Sequence, residues 1–341
     1  MRLVLVGATG AVGSRIISIL EERRFPVDEL VPVASARSKG RLIPFGDGEI
    51  EVRTLSEDVF EGADIALFDV PDELSLEWAP VAAGRGAVVV DNSAAFRMDD
   101  EVPLIVPEVN PSQMTDLPKG IIASPNCTTL AMVVPMAALH GAAELKRLIL
   151  SSFQAASGSG QPGIDELWDQ TQRAAKDPEA IREGLGRQVL EPGGTFSHPL
   201  AMNVIPQCGS FKEGGYTSEE LKLCDETRKI LGLPDLPVTA TCVRVPVVVG
   251  HGVAAHAEFE NPIDVGEARR LLAASPGVEL SDDPEHSVYP TPLEAAGRDA
   301  CYVGRIRQDR FDTKALELFC VADNLRKGAA LNTVQIAELL L

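Results

Sequence analysis

The sequence predicts an α/β protein: a doubly wound parallel sheet first, then an α+β unit with a mixed, largely antiparallel sheet. Three observations carry this. The chain opens on a short apolar run, RLVLVG, that ends in a glycine turn and leads into the amphipathic stretch SRIISILEERR. Short strand-like runs, DIALFD, AVVVD and GIIAS, then alternate with helical or loop segments such as SLEWAPVAAGRG. Such alternation indicates βαβ crossovers and a parallel sheet. Beyond about residue 128 the apolar runs grow longer and more β-branched, as in LKRLILSSFQAAS, TCVRVPVVVG, GVAAHAEFE, CYVGRIR and ALELFCV. With 341 residues, 45% of them hydrophobic, the chain is too long for one ordinary core, so two domains are expected, 1–127 and 128–324.

RLVLVG is too short for a helix and has the length of a buried parallel strand. In GATGAVG the glycines fall at Gly7, Gly10 and Gly13. The spacing is G-x-x-G-x-x-G rather than G-x-G-x-x-G. Its position directly after the first strand favours a dinucleotide turn over a plain structural one, because the pyrophosphate then sits at the helix N-terminus. The second strand, ELVPVAS, bears on which dinucleotide. An NAD site usually ends this strand with Asp or Glu. Here the chain reads ASARSKGR, and Ser35, Arg37 and Ser38 suit a 2′-phosphate. NADP is therefore expected over NAD; the alternative is a solvated basic loop.

GIIAS leads into SPNCTTLAMVVP, which poses the question of Cys127: buried filler, metal ligand or nucleophile. The six cysteines show no C-x-x-C spacing, and without a secretory signal a disulfide framework is not expected. His251 and His256 are five apart in a strand-like stretch, so they face opposite ways and no metal site is expected. Cys127 lies past a strand end and at the start of a helical pattern, where the dipole and the exposed N–H groups stabilise a thiolate. That placement favours the nucleophile.

In the second half, helical patterns cover 163–175, 217–231 and 264–274, and 175–200 reads as a long loop or interface segment. In RVPVVVGHG, Arg244 and His251 are seven apart. On one continuous strand they would face opposite ways, so a shared site requires a turn at Gly250. The net charge of −19 comes with no basic patch or stripe, which argues against nucleic acid as a partner. No apolar run approaches the roughly 20 residues that span a bilayer, and the first residues lack a signal-peptide pattern. A cytoplasmic protein is expected.

The motifs GATGAVG, VVVDNSAAFRMDDEVPLIVPEVN, SPNCTT, FQAASGSG, NVIPQ, GYTSEELK, RVPVVVGHG and DNLRKGAALNTVQIAE closely resemble the aspartate-semialdehyde dehydrogenase family, in order and over essentially the whole chain. The resemblance implies a Rossmann-type nucleotide domain completed by a C-terminal helix, 325–341, and a catalytic and dimerisation domain over 128–324. It implies reduction of L-aspartyl-4-phosphate by NADPH to aspartate 4-semialdehyde, in the biosynthesis of lysine, threonine and methionine and of diaminopimelate. It assigns Cys127 as the nucleophile that forms a thioester, with Asn126 beside it. Gln154 orients the acyl group, and His251 is the general acid/base. Arg244 pairs with the substrate α-carboxylate and Glu219 with its ammonium; Arg97 and Lys222 grip the phosphate. Cofactor contacts are implied for Gly7, Ala8, Thr9, Gly10, Ala11, Val12 and Gly13, for Ser35, Arg37 and Ser38, and for Ser157, Gly158 and Asn324. A homodimer or dimer of dimers is implied. One loop departs from the family: Asp69–Asp72, DVPD, stands where small residues, often Ser-Ala-Gly-Gly, are usual. The rivals are an N-acetyl-γ-glutamyl-phosphate reductase, which needs no ammonium partner such as Glu219, and a catalytically inert paralogue acting as a binding subunit.

Overall fold

The computed structural model describes all 341 residues, and these divide into two compact units. The first comprises Met1–Leu130, Asp225–Pro234 and Arg326–Leu341; the second comprises Ala131–Cys224 and Asp235–Leu325.

In the first unit, β1 (Arg2–Val6), β2 (Glu29–Ala34), β5 (Arg53–Thr54), β6 (Ile65–Phe68), β7 (Val88–Asp91) and β8 (Ile121–Ala123) form one sheet in the order β5-β2-β1-β6-β7-β8. All its pairings are parallel, with Val6 opposite both Val33 and Phe68. The order runs outward both ways from β1. That makes the carboxyl ends of β1 and β6 the switch point, where such sheets bind ligands. The glycine turn lies there, and α1 (Ala11–Glu22) leaves from it. A small antiparallel ribbon, β3 (Leu42–Phe45) with β4 (Gly48–Glu51), follows β2; the sequence reading did not foresee it. The helix α2 (Asp72–Gly84) links β6 to β7. The core joins Leu3, Leu5, Ile16, Leu20 and Leu67 to Leu331, Val334 and Ile336. The last three belong to a C-terminal helix, Leu331–Glu338, entered through a π-helical turn at Arg326–Ala330.

In the second unit, β9 (Leu145–Gln154), β10 (Val238–Arg244), β11 (His251–Phe259), β12 (Val278–Leu280), β13 (Cys301–Gln308) and β14 (Ala315–Ala322) form a sheet in the order β10-β9-β11-β14-β13-β12. The outer pairs β10–β9 and β13–β12 are parallel and the three inner ones antiparallel, the mixed sheet expected. Along β9, Leu148, Leu150, Ser152 and Gln154 are buried while Ile149, Ser151 and Phe153 are exposed, the two-residue period of a half-covered sheet.

The segment read as a long loop, 175–200, is more ordered than that. After α3 (Cys127–Ala143) and α4 (Gly160–Lys176) it holds two short helices, α5 (Pro178–Arg182) and α6 (Gly186–Val189). Leu190, Phe196 and Leu200 pack with Leu167 and Ala174 of α4. Two buried side chains of α4 pin the backbone of this segment. Glu166 accepts from the N–H groups of Gly193 and Thr195 (both 2.8 Å), and Gln170 Oε1 accepts from Leu200 (2.8 Å) and Ala201 (3.1 Å). The remaining helices of this half are α7 (Ser218–Leu231), which ends in the first unit, α8 (Val265–Ala273) and α9 (Pro292–Ala295).

Candidate active site

Cys127 opens α3. Asn126 precedes it as the cap: its Oδ1 accepts from the Thr128 N–H at 2.8 Å, and its backbone carbonyl accepts from Leu130 at 3.0 Å. The thiol therefore sits at the first position of a helix, where backbone dipoles favour the thiolate. Cys127 is half-buried, and the other five cysteines are buried. Burial pushes the Cys242 and Cys320 thiols up, which keeps them protonated and unreactive.

A second corner of the first unit is a cavity of about 600 Å³ lined by Gly7, Thr9, Gly10, Ser35, Arg37 and Asp69, among others. Gly7 has φ +98°, and a side chain there would fall on the Asp69 carbonyl. Gly10 caps α1 from its extended backbone, and Ala11, Val12 and Gly13 form the first turn. Thr9 Oγ1 and Ser38 Oγ lie 3.4 Å apart, while Arg37 is exposed in a 3₁₀ turn, Ala36–Ser38, directly after β2. No carboxylate stands at the end of β2. Its place is taken by hydroxyls and a guanidinium, a donor set that fits a ribose 2′-phosphate. The departing loop puts a carboxylate here as well. Asp69 is half-buried, accepts from Asn92 Nδ2 at 3.0 Å, and is held above the usual carboxylate range by desolvation.

In the second unit, Gln154, Arg244 and His251 come together at one end of the sheet. β9 lies between β10 and β11. Residues 245–250 cross its end, with the Val245 N–H on the Gln154 carbonyl (3.0 Å) and the Ala156 N–H on the Val247 carbonyl (2.8 Å). The chain then turns through Gly250, at φ +99°. Arg244 and His251 are thus on two strands rather than one, which supplies the turn the sequence required. Gln154 is opposite Arg244 in the register and its amide donates to Ser152 Oγ at 3.4 Å.

Arg244 is 6% exposed. Its Nη1 donates to the Ala155 carbonyl at 2.6 Å, and its guanidinium lies 5.8 Å from the centre of the Phe196 ring. His251 is fully buried. Its Nδ1 accepts from the Ala155 N–H at 3.0 Å, so the proton of the neutral ring is on Nε2. Nε2 has no protein partner. Burial, and next the Arg244 charge, push the imidazole down to about 3; it is neutral at ordinary pH. A side chain at Gly158 would strike Arg244 Nη1 and crowd His251 Nε2, so glycine keeps this space open. Asn324 supports the corner: its Oδ1 accepts from the Gly250 N–H and its Nδ2 donates to Ser157 Oγ, both at 2.9 Å.

Glu219 and Lys222, three apart on α7, form an ion pair at 2.8 Å. Arg97 is not the solvated surface charge that an isolated arginine would be. It is 7% exposed, and its Nη1 donates to Glu226 Oε1 at 3.0 Å. Glu226 was missed in the sequence. The available signal was its place seven residues after Glu219, on the same face of α7.

These features fit the class of dehydrogenases that combine a dinucleotide-binding unit with a cysteine at a helix N-terminus. Residues 2–117 match the family model "Semialdehyde dehydrogenase, NAD binding domain", and residues 136–327 match "Semialdehyde dehydrogenase, dimerisation domain". The chain is 47% identical to the aspartate-semialdehyde dehydrogenase of Aquifex aeolicus, over 99% of this chain and 97% of that one. It is 49% identical to the Corynebacterium glutamicum enzyme of the same name, over 99% and 98%. Among solved structures, aspartate semialdehyde dehydrogenase II from Vibrio cholerae, complexed with ASA, aligns with a TM-score of 0.93 and 42% identity, over 99% of this chain and 97% of that one. The chain belongs to the aspartate-semialdehyde dehydrogenase family.

Proposed function

We propose that the chain reduces L-aspartyl-4-phosphate to L-aspartate 4-semialdehyde and phosphate with NADPH, in the biosynthesis of lysine, threonine, methionine and diaminopimelate in the cytoplasm. The Cys127 thiolate adds to the acyl-phosphate carbonyl, the C–O bond to phosphate breaks, and a thioester remains. Arg97 and Lys222 offset the charge of the departing phosphate. NADPH, when bound, would supply the hydride; the glycine turn from Gly7 to Gly13 with Ser35, Arg37 and Ser38 would hold it, and Ser157, Gly158 and Asn324 are further candidate contacts. Collapse of the hydride adduct releases the aldehyde and the thiolate. Gln154 orients the acyl group. Arg244 receives the α-carboxylate through its planar fork, and Glu219 receives the ammonium. His251 is the general acid/base, and it enters as a donor, since its proton is on Nε2 and faces the space beside Gly158.

The observation that carries this reading is Cys127 at the first position of α3, capped by Asn126. The exposed Ile149 and Phe153 on β9 support a homodimer that covers this sheet face.

The test is run in the oxidative direction with aspartate semialdehyde, NADP+ and inorganic phosphate. The parent protein is expected to form NADPH only when phosphate is present. Cys127→Ala should abolish turnover and leave NADP+ binding intact, and brief alkylation followed by mass spectrometry should find Cys127 modified first. Turnover by the Ala variant would remove the thioester from the mechanism. Strong activity of the parent on N-acetylglutamate semialdehyde would transfer the assignment to the reductase.

A further inference from the structure

Glu226 is a carboxylate that the reaction above does not use, and it is 1% exposed. Its two oxygens divide between two functional groups. Oε1 accepts from Arg97 Nη1 at 3.0 Å, and Oε2 accepts from the Asn126 backbone N–H at 2.7 Å. One is the cation assigned to the phosphate; the other is the peptide N–H of the residue directly before the nucleophile.

The backbone that carries Arg97 is held by other means. One turn along α7, Lys229 donates to the carbonyls of Arg97 (2.8 Å), Asp99 (2.7 Å) and Val102 (2.9 Å). Arg97 Nη2 donates to the Asn92 carbonyl at 2.8 Å. Glu226 adds the anionic contact, which aims the guanidinium and ties it to the start of α3. Neutralising Arg97 takes one oxygen of the carboxylate; the other accepts from the Asn126 N–H, so one side chain contacts both groups.

We propose that Glu226 is a positioning residue that holds Arg97 and the Asn126–Cys127 peptide in one register, so that the site for the departing phosphate and the attacking thiol share a support. The proposal rests on the function proposed above. Its chemistry is selective for the carboxylate. Both neighbours are donors, and only a carboxylate offers an acceptor to each. A glutamine has one acceptor and one donor, so Glu226→Gln must turn an N–H toward either Arg97 or Asn126.

The experiment measures initial rates in the oxidative direction for the parent, Glu226→Gln and Glu226→Asp, with inorganic phosphate varied. Alkylation rates of Cys127 by iodoacetamide and thermal melts are recorded alongside. For Glu226→Gln, the KM for phosphate should rise about tenfold or more, as loss of a hydrogen bond to a charged group implies. The Cys127 alkylation rate should change, and the KM for NADP+ should stay within about twofold of the parent. A merely structural residue would lower the melting temperature and the active fraction while leaving the KM for phosphate and the alkylation rate of folded protein unchanged; that result overturns the proposal. If the glutamine variant does not fold, Glu226→Asp decides. A shorter arm keeps the charge and cannot reach both donors, so a raised KM for phosphate supports the proposal and an unchanged one overturns it. The parent tests the reaction separately. Without phosphate-dependent turnover in the parent, both readings fall; with it, and with unchanged variants, only the role of Glu226 falls.

Discussion

Buried charge is handled in opposite ways in the two units. In the first, Lys327 is fully buried and its Nζ donates to both oxygens of Glu108 (2.8 and 2.7 Å), to Asn332 Oδ1 (3.1 Å) and to Gln335 Oε1 (2.8 Å). Arg97 likewise has Glu226. In the second unit, Arg244 is almost as buried, yet its partners are a backbone carbonyl and the face of Phe196. No carboxylate pairs with it, and the neighbouring His251 keeps a donor without an acceptor. Isolated buried charge is costly. Lys327, matched by Glu108, is a cation whose charge is met within the fold; Arg244, at a sheet end, has no carboxylate partner, which is the arrangement the proposed role toward a substrate carboxylate requires.

The largest effect should come from breaking the matched set. Lys327→Met leaves Glu108 nearly buried without its cation, and should cost about 3–5 kcal/mol of stability. Denaturant melts read this directly, while kcat/KM per folded molecule stays near that of the parent. Arg244→Lys probes the unmatched case. The melt should move little, because no ion pair is lost, whereas a lysine cannot copy the planar fork. A loss of kcat/KM for the semialdehyde of about ten- to a hundredfold, roughly 1.4–2.8 kcal/mol, is expected, mostly in KM. A large melting shift with unaltered kinetics would erase the distinction between the two units.

The smallest effect is a slope with pH. The folded pKa of His251, about 3, lies below that of the unfolded chain, near 6.5. Between these values the unfolded chain binds the extra proton. The stability from this group is therefore full above pH 6.5 and is lost as pH falls, by up to ~1.4 kcal/mol per pH unit. Urea midpoints at pH 7, 6 and 5 should fall less steeply in His251→Gln, by about one proton's worth of slope. The same neutrality predicts that kcat shows no acid limb near 6.5 from this residue.

What the sequence made legible was whatever depends on near neighbours. The strand, glycine turn and helix at 2–22 are local in cause, as is the cap at Asn126, where an Asx side chain precedes a helical pattern. The turn at Gly250 was readable only as a condition, since β9, which the crossing spans, lies about a hundred residues earlier. Glu226 was hidden for the same reason. On α7 it is one acidic residue among several, and its burial is decided by Arg97, 129 positions away in the chain. The segment 175–200 looked irregular because its Gly and Pro residues are conspicuous, while the side chains that order it, Glu166 and Gln170, sit on the preceding helix.

The C-terminal helix has a consequence for the order of events in synthesis. Leu331, Val334 and Ile336 fill the core behind β1 and α1, and Arg23 pairs with Glu338 across 315 positions of chain. On a ribosome, the first strands emerge long before the residues that close their core. The second unit ends at Leu325, so its sequence is complete before Arg326–Leu341, the last segment of the first unit, is made. Contacts so distant in sequence form slowly, and a growing chain exposes its unfinished apolar surface meanwhile. The segment made first is therefore completed last, and truncation near residue 330 would be felt at the opposite end of the polypeptide.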